Sequence, residues 1–183
     1  MSVSRIFTAV PAPVAFVDAS HEYRRQFRLV EGIRWVPEAN LHLTLCFLGE
    51  VEDADLPEVI SILDGIASSH EQFTLTFDRF GAAGKADRPS MLWGYFIQHE
   101  GFKTLYHSLR TGLQPILREP GVLYPDPIPH ITIARTTRPS LFRGLPEAEL
   151  KAGPLTVDRI GLWKTIREPA LHYQQIALTG PLK

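Results

Sequence analysis

Two short segments of the chain carry the same set of chemically capable side chains. Leu41-His42-Leu43-Thr44-Leu45 and Pro129-His130-Ile131-Thr132-Ile133 both read apolar, His, aliphatic, Thr, aliphatic. A bare His-x-Thr arises by chance about once in two chains with this His and Thr content, and the matched aliphatic neighbours make the coincidence about tenfold rarer. An imidazole titrates near pH ~6.5, so at neutral pH one copy can give a proton while the other takes one. That combination suits displacement at phosphorus. A base must deprotonate the attacking water, and an acid on the opposite side must protonate the departing alkoxide. The hydroxyls of Thr44 and Thr132, with a nearby cation, can donate to the nonbridging phosphate oxygens as charge builds on them. The scheme calls for no metal and no cofactor.

Strands would present these groups, because side chains two apart on a strand share a face. Each strand then offers one imidazole beside one hydroxyl, followed on the same face by a small residue, Cys46 or Ala134. The other face holds Leu41, Leu43, Leu45 and Phe47 in one copy and Pro129, Ile131 and Ile133 in the other, which suits packing against helices. Phe47 is therefore expected in the core. A zinc site needs about three protein ligands, and neither triplet holds a second acid or thiol. Cys46 lacks a basic partner in sequence and is read as packing. His21, His70, His99, His107 and His172 share no repeated environment and are expected at the surface.

The elements around the triplets are legible in outline. Arg5 to Val10 reads as a strand, Pro11 and Pro13 lead into a helix reaching Phe27, and Ile33 to Val36 is extended. Leu41 to Leu48 is a strand ended by Gly49. Asp55 caps a helix striped by Leu56, Val59, Leu63 and Ile66. Phe73 to Arg79 and Met91 to Ile97 form a hairpin around a glycine turn at Gly81 to Gly84. Phe102 to Leu117 is helical, with Pro115 ending or bending it, and a proline-rich loop leads to His130. Strand signals return at Leu155 to Leu162 and Tyr173 to Leu178. Strands and helices mix without strict alternation, which indicates an α+β fold. With 183 residues, 44% of them hydrophobic, and no low-complexity linker, residues 1–183 are expected to form a single domain.

The 19 basic residues against 20 acidic ones give a net charge of -1, so no long-range field grips a polyanion and any basic site is local. One cysteine permits no internal disulfide and fits a reducing cytoplasm. Ile6 to Val17 loosely imitates a signal segment, but Pro11 and Pro13 interrupt it and Asp18 ends it. No apolar run approaches the roughly 18 residues of a membrane span. A soluble cytoplasmic monomer without membrane contact is expected.

Beyond the triplets, Trp35-Val36-Pro37 through Asn40-Leu41-His42-Leu43-Thr44-Leu45-Cys46-Phe47-Leu48-Gly49-Glu50, with Pro129-His130-Ile131-Thr132-Ile133-Ala134-Arg135, resembles the 2H phosphoesterase superfamily. Within it, the similarity is to the RNA 2',3'-cyclic phosphodiesterases, also called 2'-5' RNA ligases. The resemblance implies a bilobal fold with two antiparallel sheets facing a central cleft and helices on the outer faces. It implies that His42 protonates the leaving 3' oxygen and His130 activates water, giving a 2'-phosphate. RNA ends or small cyclic nucleotides would be the substrates, and an ATP-independent 2'-5' ligation the reverse reaction. Two alternatives remain: another small cyclic nucleotide such as ADP-ribose 1'',2''-cyclic phosphate, or a noncatalytic nucleotide- or RNA-binding module. The resemblance also makes Arg135 a phosphate-side residue. Strict alternation from His130 places it on the opposite face, so only a bend or the strand end would bring it inward. Arg5, Lys164 and Arg167 are further phosphate neighbours to consider, and Trp35, Phe47 and Tyr173 are the aromatic residues that could meet a base.

Overall fold

A computed structural model of the chain describes residues 2–117, 125–145, 148 and 150–183. The strands, in chain order, are β1 (Val3–Pro11), β2 (Ile33–Trp35), β3 (His42–Glu52), β4 (Phe73–Leu75), β5 (Phe77–Lys85), β6 (Arg88–Phe96), β7 (His130–Thr136), β8 (Leu155–Val157), β9 (Gly161–Ile166) and β10 (His172–Leu178). The helices are α1 (Val14–Arg25), α2 (Leu56–Ala67) and α3 (Glu100–Leu113). The mixture is α+β, as the sequence indicates.

The strands of the main sheet fall into two groups of four. One runs β10-β9-β1-β3; the other holds β7-β6-β5, with β2 beside β7. A single antiparallel register pair, Leu43 with Ile131, joins β3 to β7. These are the middle residues of the two His-x-Thr triplets, and both are fully buried. The two lobes therefore touch where the motifs lie, and diverge on either side of that contact. A separate two-stranded sheet pairs β4 with β8.

Each lobe is backed by helix. α2 and α3 pack on each other, and α3 runs along β3. α1 follows β1 in the chain but crosses to the other lobe, where Phe16 packs against Phe77, Phe80 and Phe96 at 5.5–5.9 Å between ring centres. The Phe16 ring lies so close to β6 that a Cβ on Gly94 would come within 2.5 Å of it. Only glycine leaves room there. One continuous cluster of buried side chains, including Ile6, Leu63, Phe80, Leu109 and Ile131, runs through both lobes.

Several local expectations shift. Gly49 does not end β3, which continues to Glu52; its φ of 78° lets the strand bend and go on. Gly81 to Gly84 is not the hairpin turn. Those residues pair with β6, Gly84 (φ 114°) sits at a bulge, and the turn falls at Ala86 and Asp87. Asp55 makes no side-chain cap on α2, because a single 3-10 turn, Asp53–Asp55, already leads into the helix. The long Leu155 to Leu162 segment divides, since β8 joins β4 while β9 joins β1. Part of the loop before His130 lies outside the described residues.

Candidate active site

His42 and His130 open their strands at the point where the lobes meet. Because β3 and β7 are antiparallel about the Leu43 and Ile131 pair, His42 lies toward Thr132 and Thr44 toward His130. The imidazoles occupy opposite corners of a four-residue set, with a hydroxyl beside each. All four line one cleft of about 900 Å³.

The two rings are held in the same way. His42 Nδ1 lies 2.7 Å from the carbonyl of Asn40, and His130 Nδ1 lies 2.7 Å from the carbonyl of Ile128. A carbonyl only accepts, so each Nδ1 carries the proton and donates. In the neutral ring this leaves the Nε2 lone pair to act as the proton acceptor, and in the charged ring Nε2–H is the proton to give.

Their surroundings differ. His42 is ringed by Phe7 at 4.8 Å, Tyr173 edge-on at 5.0 Å and Trp163 at 6.3 Å. His130 lies flat on Trp93, with ring centres 3.5 Å apart. Burial pushes the His130 pKa down to about 4, opposed by the hydrogen bond to Ile128 and helped by the positive charges of Arg135 and of a protonated His42. His42 is lowered as well, again mainly by burial, with its hydrogen bond to Asn40 opposing and Arg135 assisting.

Asn40 is a component that sequence reasoning missed. It is buried, and its backbone carbonyl holds His42. Its side-chain Oδ1 accepts from the Tyr173 N–H at 3.1 Å, and its Nδ2 donates to the Leu171 carbonyl at 3.3 Å. The same residue thus ties the β9–β10 hairpin to the segment that holds the His42 ring. Its only sequence signal is an asparagine just ahead of the motif. Trp93 is the other omission, placed under His130 by β6.

Strict alternation fails in both motifs at equivalent places. In β7 the register with β6 slips between Leu92 and Trp93, leaving Ile133 as an extra residue. In β3 the register with β1 slips between Thr8 and Ala9, leaving Leu45 extra. A bulge of this kind reverses the phase of the side chains that follow. Three expectations change with it. Arg135 is exposed and lines the cleft with the histidines, its Nη1 3.2 Å from the Met91 sulfur. Phe47, expected in the core, is 61% exposed on the cleft wall. Cys46 and Ala134, expected on the histidine face, are buried among core side chains, Cys46 still bordering the cleft.

Cys46 behaves as packing. Burial raises its thiol pKa to about 11, against the Arg110 guanidinium, which lowers it. Trp35 lies away from the site, against Phe27 and Arg24, whereas Tyr173 lines the cleft. Among the described residues no three of His, Cys, Asp and Glu gather as metal ligands do. No described helix is long and apolar enough to cross a membrane.

Known proteins resemble this chain in sequence and fold. The LigT like Phosphoesterase profile matches residues 10–93, which contain the first motif. An RNA 2',3'-cyclic phosphodiesterase of Thermus thermophilus is 33% identical over 140 residues, covering 74% of this chain and 70% of that protein. The chain belongs to the LigT-like phosphoesterase family. A second member bearing the name RNA 2',3'-cyclic phosphodiesterase, from Thermotoga maritima, is 30% identical over 128 residues, covering 65% and 66% of the two chains. A crystal structure of a Thermus thermophilus protein superposes with a TM-score of 0.82 over 97% of both chains at 28% identity. The bilobal phosphoesterase fold that the family resemblance implies is therefore the fold of this chain.

Proposed function

We propose that this phosphoesterase is an RNA 2',3'-cyclic phosphodiesterase, with His42 as general acid and His130 as general base. The observation that carries the reading is the pair of imidazoles at opposite corners of one cleft, each with Nδ1 committed to a backbone carbonyl. The names of the Thermus and Thermotoga relatives supply the substrate class. Two matched motifs give no reason to prefer either histidine for either task. Their environments do. Burial lowers both rings, but only His130 is pushed as far as about 4; the ring held neutral more strongly takes the base role, and His42 the acid role that the family resemblance implies.

In the proposed reaction, His130 Nε2 removes a proton from water as the water oxygen bonds to phosphorus. The P–O3' bond breaks on the far side, and His42 Nε2–H protonates the leaving 3' oxygen. The product is a 2'-phosphomonoester. Proton exchange with solvent then restores both rings. Thr44 and Thr132 donate hydrogen bonds to the nonbridging oxygens, and the Arg135 guanidinium balances their charge. An RNA 5' hydroxyl in place of water would give a 2'-5' linkage without ATP. The reading takes the chain as one domain working as a cytoplasmic monomer, the continuous core shared by the lobes being the support for one domain.

The test is turnover of a nucleoside 2',3'-cyclic phosphate by protein stripped of metal with a chelator, with the product isomer identified. A 2'-phosphate is expected, and both His42→Ala and His130→Ala should remove turnover. Undiminished turnover by the double variant would discard the reading, and a 3'-phosphate would reverse the assignment of the leaving oxygen.

A further inference from the structure

One wall of the cleft carries cationic groups that the chemistry at phosphorus does not use. Arg5 on β1, Thr165 near the end of β9 and Arg167 just beyond it all line this wall, on the His42 lobe. Ile6 pairs with Lys164, which sets Arg5 beside Thr165, and Thr165 pairs in turn with Tyr173 of β10. Alternation along β9 sends Trp163, Thr165 and Arg167 to the cleft side. Lys164 falls on the other face, close enough to Asp53 to stabilise its carboxylate. Arg5 and Phe7 share a face of β1, so Arg5 stands roughly 7 Å along the strand from the ring that contacts His42. Among the described residues neither the Arg5 nor the Arg167 side chain has an ion pair or hydrogen bond, although Glu50 lies opposite Arg5 in register. Two exposed guanidiniums without partners, in a chain of net charge -1, face the same groove as the histidines.

In-line geometry says what should reach them. The leaving 3' oxygen belongs to the terminal ribose, so that ribose lies on the acid's side of phosphorus while the water lies on the base's side. On that arrangement the 5' phosphodiester of the same ribose extends over the His42 lobe. We propose that Arg5, Thr165 and Arg167 form a subsite for this second phosphate, so that the preferred substrate is an RNA chain end and not a free cyclic mononucleotide. The proposal rests on the assignment of His42 as the acid and deepens it by naming the substrate class.

The experiment compares kcat/KM for a nucleoside 2',3'-cyclic phosphate with that for a trinucleotide ending in the same cyclic phosphate. Wild-type protein should prefer the trinucleotide by about tenfold or more, as one or two charge-assisted contacts allow. R5Q/R167Q should lose most of that preference while its mononucleotide rate stays within about twofold, and its trinucleotide salt slope should become shallower by about one. A trinucleotide whose phosphodiester next to the terminal nucleotide is a neutral methylphosphonate should lose the preference on the unaltered protein, which tests the subsite without any variant. Equal losses on both substrates, or an unchanged trinucleotide rate, would overturn the subsite. Mononucleotide turnover without a trinucleotide preference refutes only the subsite, whereas no turnover of either substrate refutes the proposed phosphodiesterase activity itself.

Discussion

The two halves of the site repeat one backbone design and differ in what surrounds it. In both, a strand opens with His-x-Thr, the histidine Nδ1 donates to the carbonyl two residues earlier, and a bulge after the threonine turns the next phase inward. On the β3 side the bulge delivers Phe47 beside the Phe7 ring, which Tyr173 meets edge-on. On the β7 side it delivers Arg135, beside a histidine lying flat on Trp93. At the two bulges, an aromatic ring on one strand and a guanidinium on the other enter the same cleft. Twofold repetition positions an acid and a base on opposite flanks, and the broken symmetry is what can distinguish them.

Removing either imidazole of this pair is the harshest test, and the largest effect is expected from His42→Ala and His130→Ala. Each should lower kcat by about 10³-fold, within the range for general acid or base catalysis. The double variant should lose scarcely more, since acid and base act as one unit. The pH dependence separates them. Activity needs His130 neutral and His42 protonated, so kcat/KM should rise through a pKa near 4 and fall through a His42 pKa below its ordinary value. The rising limb should vanish in His130→Ala and the falling limb in His42→Ala. A pH-rate profile that kept both limbs in either variant would show that the two halves are not specialised.

Thr44→Val and Thr132→Val come next. Each removes one donor to developing charge, and a loss of about 100-fold in kcat with KM little changed is expected. Similar losses at both would show the phosphate sits evenly between the lobes, and a loss at one alone would place it against that strand.

Arg135→Gln tests the cationic wall. A loss of about tenfold in kcat/KM is expected from one charge-assisted contact. The profile should also move: Arg135 lowers both histidine pKa values, so its removal raises both and shifts both limbs to higher pH. A fixed profile would place the guanidinium too far from the rings to matter.

Asn40→Ala should have the smallest effect on chemistry. It leaves the backbone carbonyl on His42 but deprives the Tyr173 N–H and the Leu171 carbonyl of their partners. Unfolding measurements should show a cost of about 1–3 kcal/mol, with kcat lowered only a few-fold. Ile128 carries no such side chain, so the β7 side offers no counterpart.

Stability should carry the same signature. His130 is depressed in the fold relative to the unfolded chain, so between about pH 6.5 and pH 4 the unfolded chain binds more protons and stability falls as pH drops. His130→Gln should flatten that part of the curve in thermal melts.

The motif chemistry was readable in the chain because a strand's period of two is a local property, and His-x-Thr satisfies it wherever the strand begins. The helices were readable from local signals too, α1 from the prolines ahead of it, α2 from its apolar stripe and α3 from Pro115 near its end. Phe47 and Arg135 were not, since a bulge depends on how the neighbouring strand pairs, and Leu45 and Ile133 look like ordinary strand residues. Gly81 to Gly84 misled in the same way: glycine permits a turn, but the partner strand β6 decided that the ladder continues.

What the sequence by itself determined is the pair of matched imidazole and hydroxyl sets and the α+β elements that bear them, because these follow from nearest-neighbour periodicity. Only the tertiary structure decided that Leu43 and Ile131 are cross-strand partners, that two equivalent bulges turn an aromatic ring and a guanidinium into the cleft, and that Asn40 fastens the β9–β10 hairpin to His42. Those outcomes depend on hydrogen bonds between segments far apart in the chain, whose register no local pattern encodes.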